Sequence, residues 1–193
     1  MRKPTAGGAG LLRRVAVPAA AVVLGLGPAA PLVHAAPAAP AAPAAPQGGT
    51  ATRFGGIVAY DALPGAGNDV VVGVLLGELA IQDESGAAAG HGCVRRSDVL
   101  VTCGPVSGVT RVAVQARDLD DRVYVAVPLD AIVDAGTGAD EVTTHGGGDR
   151  ITVGDGAPGD RVASCGAGAD SVEADAGDTV PAASCEGRIS PAT

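Results

Sequence analysis

The chain predicts an all-β protein with a narrow, coiled core, and three observations lead there. After residue 50, short valine- and isoleucine-rich runs alternate with glycine and aspartate clusters, and no stretch carries a helical period. Tryptophan is absent, with one phenylalanine and two tyrosines, so thin layers of valine, isoleucine, leucine and alanine must close the interior, which suits a solenoid better than a sandwich. Between Asp134 and Pro181, an aspartate followed two places later by a β-branched residue recurs five times.

Residues 1–35 have the pattern of an export signal. Arg2, Lys3, Arg13 and Arg14 form a basic start, an uncharged stretch runs from Val15 to Val33, and Val33-His34-Ala35 offers a small-residue cleavage site, so the mature chain is expected to begin near Ala36. Prolines and glycines interrupt the uncharged stretch, which argues against a permanent membrane anchor. The expectation is a secreted, extracellular product with no membrane association once the signal is removed. The signal holds four of the thirteen basic residues and none of the twenty-one acidic ones, which leaves a mature charge of −12. So acidic a chain repels a phosphate backbone, which excludes nucleic acid and favours cations as partners.

Residues 36–50 open with alanine and proline only, Pro37, Pro40, Pro43 and Pro46 falling at every third place, and read as an extended, flexible linker. Residues 51–133 form the amino-terminal β segment. Its expected strands are Ile57 to Tyr60, Val70 to Leu76, Leu79 to Ile81, Val99 to Thr102, Val109 to Val114 and Val123 to Val127. Four cysteines in an exported chain imply disulfides. Of the three connectivities, Cys93 with Cys103 and Cys165 with Cys185 are preferred because each closes a short local loop.

Residues 134–185 carry the glycine and aspartate pattern, and 186–193 form a short tail. The pairs are Asp140 with Val142, Asp149 with Ile151, Asp160 with Val162, Asp170 with Val172 and Asp178 with Val180. Glycine precedes nearly every aspartate, most regularly at Gly136, Gly138 and Asp140 and at Gly166, Gly168 and Asp170. The segment resembles the glycine-rich nonapeptide repeat, G-G-x-G-x-D-x-U-x, of haemolysin-type (RTX-like) calcium-binding proteins. The resemblance implies a right-handed parallel β-solenoid, or β-roll, following the amino-terminal β segment. It also implies calcium held between successive turns by aspartate carboxylates and glycine-turn carbonyls. The implied metal residues are Gly136, Gly138, Asp140, Asp149, Asp160, Gly166, Gly168, Asp170 and Asp178. The pattern departs from the family where Thr144 and His145 replace the two leading glycines of the second repeat, where Pro158 replaces a glycine of the third, and where the last retains only Gly177.

Physical chemistry supports such an assignment. Alternation along each strand points Val142, Ile151, Val162, Val172 and Val180 inward. Stacking at a strand spacing of about 4.8 Å aligns Asp140, Asp160 and Asp178 on one edge and Asp149 and Asp170 on the other, and like charges that close repel unless a hard dication bridges them. Upstream, Gly65-Ala66-Gly67-Asn68-Asp69-Val70 reads as a turn entering a strand, and Asp118-Leu119-Asp120-Asp121-Arg122-Val123 as a degenerate repeat. His91 and His145 read as exposed loop residues. No GxSxG or HExxH motif is present and the mature chain has no lysine, so catalysis is not expected. The expected function is extracellular calcium binding; the alternative is a metal-independent structural or adhesive solenoid.

Overall fold

A computed structural model describes residues 48–186 and the backbone of a final strand at 188–189. The export signal and nearly all of the alanine–proline linker lie outside the described residues. Fifteen strands and one short 3-10 turn make up the described chain, which has no α-helix. The first seven strands are β1 (Gly49–Phe54), β2 (Ile57–Ala62), β3 (Asp69–Leu75), β4 (Glu78–Asp83), β5 (Ala87–Ala89), β6 (Val94–Arg95) and β7 (Leu100–Pro105). There follow β8 (Arg111–Gln115), β9 (Arg122–Pro128), β10 (Asp130–Asp134), β11 (Glu141–Gly146), β12 (Arg150–Thr152), β13 (Arg161–Ser164), β14 (Ser171–Ala174) and β15 (Arg188–Ile189).

The all-β class holds, but the expected right-handed parallel solenoid or β-roll does not. The strands form two open sheets, and both are mixed. The first runs β15-β14-β12-β10-β8-β2-β1-β5 and the second β13-β11-β9-β3-β4-β7-β6. Antiparallel pairing joins β1 to β2, β3 to β4, β4 to β7 and β6 to β7. Local turns cause the departure. Phe54 pairs with Ile57 and Leu75 with Glu78, so two-residue loops reverse the chain before any crossover forms. At the second reversal both Leu76 (φ 52°) and Gly77 (φ 83°) are left-handed, as a primed hairpin turn requires.

Beyond β7 all pairing is parallel. From β8 to β14 successive strands alternate between the sheets, and each pairs with a neighbour about twenty residues away, Arg122 with Glu141 and Arg150 with Ser171, whereas β15 joins β14 in the first sheet. The first sheet lines up Tyr60, Val114, Val133, Ile151 and Val172, and the second Val70, Val123, Val142 and Val162. All nine are buried in one core. Burying a valine or isoleucine side chain contributes roughly 1.5–3 kcal/mol, so these columns hold the sheets together without large aromatics. Val180 departs from its inward reading and is only partly buried at the edge of the core.

Both preferred disulfides are present, Cys93–Cys103 and Cys165–Cys185. Loops of this size stabilise by roughly 3 kcal/mol each in the chain-entropy model. The two bridges indicate an extracellular or otherwise oxidising environment. Among the described residues, no helix is long and apolar enough to cross a membrane. Gly49 and Thr50, read as the end of the linker, belong to β1, and Arg188–Ile189 of the tail pair with β14.

Candidate acidic site on the turns

Each parallel strand is entered through a turn whose last residue lies directly against its counterpart in the neighbouring turn. Asp140 Oδ1 accepts the backbone N–H of Asp121 at 2.8 Å, Asp160 Oδ1 that of Asp140 at 2.8 Å, and Asp178 Oδ1 that of Asp160 at 3.1 Å. One ladder thus contains Asp121, Asp140, Asp160 and Asp178. A second ladder forms at the other strand entrances, where Asp149 Oδ1 accepts Ala131 N–H at 2.8 Å and Asp170 Oδ1 accepts Asp149 N–H at 2.9 Å. The structure therefore brings Asp140, Asp160 and Asp178 together, and Asp149 with Asp170.

The glycines permit this stacking. Gly138 (φ 149°) and Gly168 (φ 152°) sit so close to the preceding turn that a Cβ would lie 2.1 Å from the Leu119 carbonyl oxygen and 1.6 Å from that of Gly147. Gly136 and Gly166 press in the same way on the carbonyls of Arg117 and His145. Backbone carbonyls are thereby packed beside the carboxylate ladders.

In Asp121, Asp140, Asp149 and Asp160 one carboxylate oxygen is occupied by a backbone N–H and the other is not, whereas Asp178 at the ladder end has both occupied, its Oδ2 accepting the Asp175 N–H at 2.7 Å. The Oδ2 atoms of Asp121, Asp140, Asp149 and Asp160 are buried without a hydrogen-bond partner. Thr144 lies beside Asp149 but donates its hydroxyl proton to the Cys165 carbonyl at 2.9 Å, which leaves the Asp149 oxygen unpaired. Among the described residues the arginines pair with other, partly exposed carboxylates, as in Arg161–Glu141 and Arg122–Asp69, and none pairs with a ladder aspartate. An unpaired buried carboxylate is costly unless it takes up a proton or meets a cation. Burial pushes Asp121 up to about 7 and Asp140 up to about 6, and neighbouring like charges add to both shifts. Burial raises Asp149 and Asp160 in the same direction.

The donors suit a hard cation, since they are carboxylate and carbonyl oxygens alone. Among the described residues, no three His, Cys, Asp or Glu side chains converge on one metal position. Any ion on a ladder would therefore draw on two neighbouring carboxylates at most, with backbone carbonyls or water for the rest. Asp178 and Asp170 mark the ladder ends, and Asp178 is only half-buried. His91 is exposed and stacked on Phe54, while His145 lies on β11 instead of in a loop, edge-on to Tyr124.

Sequence reasoning missed two members of this arrangement. The sequence marks Asp121 only as part of a degenerate repeat, yet it belongs to the first ladder. Asn68 occupies the position before it: its N–H donates to Asp121 Oδ1 at 2.6 Å, and its carbonyl accepts Arg122 N–H as the Asp121 carbonyl accepts Glu141 N–H. Spacing from Gly65 and Gly67 would have chosen Asp69.

Comparison with protein-family models, curated proteins and solved structures finds no match.

Proposed function

We propose that this is a secreted, non-catalytic protein whose turn ladders bind calcium. The observation that supports the reading is the row of buried, unpartnered Oδ2 atoms on Asp121, Asp140, Asp149 and Asp160, with no cationic side chain among the described residues to neutralise them. Asp140 with Asp160 and Asp149 with Asp170 would hold the ions, assisted by carbonyls packed against Gly138 and Gly168. The bound dication supplies the counter-charge that lets these carboxylates ionise inside the fold. The resemblance to haemolysin-type repeats and the basic, then uncharged, leader agree with export into a calcium-rich medium.

A second reading rests on a different observation. Every ladder Oδ1 already accepts a backbone N–H, so the aspartates also act as staples between turns, and a metal-independent extracellular structural module would use them in that role alone. Calorimetric titration of the mature protein with calcium separates the two. The calcium reading expects saturable binding that falls by at least one ion in Asp140→Asn and again in Asp149→Asn. The structural reading expects no binding heat in any of the three proteins.

A further inference from the structure

A cleft of about 360 Å³ opens mostly upstream of the glycine and aspartate segment, where the turn before β3 meets the turn before β9, with Ala139 and Glu141 of that segment at its rim. Two of its lining residues are almost fully buried and each has an orphaned acceptor. Asn68 is 3% exposed with Oδ1 unpartnered, and Asp121 is 4% exposed with Oδ2 unpartnered. The Asp121 carboxylate lies directly on the Asn68 backbone, whose N–H it accepts at 2.6 Å.

The orientation of the Asn68 amide is set by its other end. Nδ2 donates to Asp83 Oδ2 at 2.6 Å and to Ser85 Oγ at 2.9 Å. Asp83 is fully buried and receives further donors from the Tyr60 hydroxyl, Ser85 and the Asp69 N–H. A carboxylate so supplied is an acceptor and must face the NH₂ group, which leaves the amide oxygen as the unsatisfied atom. Around the cleft stand Asp69, Glu84, Asp120 and Glu141, with Arg122 the one cation. Arg122 is turned toward two of these carboxylates, Asp69 at 3.7 Å and Glu141 at 3.8 Å.

We propose that this cleft is a hard divalent-cation site, with Asn68 Oδ1 and Asp121 Oδ2 as its inner ligands and water, held by the surrounding carboxylates, completing the shell. Two orphaned oxygen acceptors within a ring of negative charge fit calcium: a neutral amide oxygen beside carboxylates is a common calcium donor set, and no sulfur or imidazole competes. An ion here ties the entrance of β3, which leads into an antiparallel hairpin, to the entrance of β9, which begins the parallel pairing of the second sheet. It would clamp the amino-terminal segment onto the rest of the sheet. The choice of calcium rests on the ladder reading, but the site uses none of the residues from 134 onward as inner ligands.

Equilibrium dialysis of the intact mature protein against calcium-45 tests the site. Asn68→Ala should lose one bound ion relative to the parent. Glu84→Gln combined with Asp120→Asn alters only exposed side chains and should weaken that ion's binding roughly tenfold while leaving the fold intact. This pair decides the matter if Asn68→Ala does not fold. Loss of ions in Asp140→Asn and Asp149→Asn with none lost or weakened in the cleft variants overturns the cleft site and leaves the ladders standing. Loss confined to the cleft variants supports the cleft and overturns the ladder reading, and a protein that binds no calcium overturns both.

Discussion

Gly168→Ala is expected to cost more than about 4 kcal/mol, enough to unfold the tiers it joins. Its Cβ would sit 1.6 Å from the Gly147 carbonyl oxygen, on a backbone held at φ 152°. The new methyl group would have to push the turn before β14 away from the turn before β12. That movement breaks the Asp149 N–H to Asp170 Oδ1 bond and the parallel pairing of Ile151 with Val172, both buried in the core. Gly156→Ala is the control: Gly156 also has a left-handed φ, at 93°, but nothing lies within 4 Å of its would-be Cβ. It should cost about 1–2 kcal/mol, the strain of the backbone alone. Urea denaturation of both variants measures the difference, and equal losses would show that the close approach of the turns does not carry the stability assigned to it.

In chelator, the folded protein should become less stable as the pH rises from about 4 to about 7. The ordinary carboxylate value of 3.8 applies to Asp121 and Asp140 in the unfolded chain, whereas folding raises them to about 7 and about 6. The folded state therefore binds more protons across this interval. The stability these groups contribute is complete below pH 3.8 and is lost as the pH climbs through the folded values. Asp149 and Asp160 are displaced the same way and add to the slope. Thermal melts of the metal-free protein across this range check the sign, and the Asp121→Asn, Asp140→Asn double variant should flatten the dependence. A parent protein whose metal-free stability rises over the same interval would contradict the burial of unpaired carboxylates.

Much of the acidic arrangement could be read from the sequence because it depends on local spacing. The offset of two between aspartate and β-branched residue separates a turn from an inward side chain, and Val142, Ile151, Val162 and Val172 are all buried. The same offset places Asp140 over Asp160 and Asp149 over Asp170. The pattern says nothing about the direction of strands outside it. The hairpin at Leu76-Gly77 carries leucine where asparagine, aspartate or glycine would normally announce a primed turn, so the antiparallel half of the second sheet had no local marker. Asp83, Tyr60 and Asn68 meet across long stretches of chain, and no spacing rule joins residues that only sheet register brings together. Asn68 also precedes the aspartate that the glycine spacing selects, and only the pairing of Asp69 with Arg122 shows which of the two stands in the ladder column.

In the calcium reading, a bound dication neutralises the buried ladder oxygens. The most direct test is the melting temperature of the mature, disulfide-intact protein at pH 7.5, first in excess chelator and then in calcium. At a free calcium concentration about 100 times its Kd, one site stabilises by about 2.7 kcal/mol, so the transition should rise by roughly 5–10 °C. Magnesium at the same concentration should move it far less, because it demands a smaller, stricter shell and sheds water reluctantly. An unchanged transition in calcium, in chelator and in magnesium would contradict the account and leave the ladder aspartates as staples between turns.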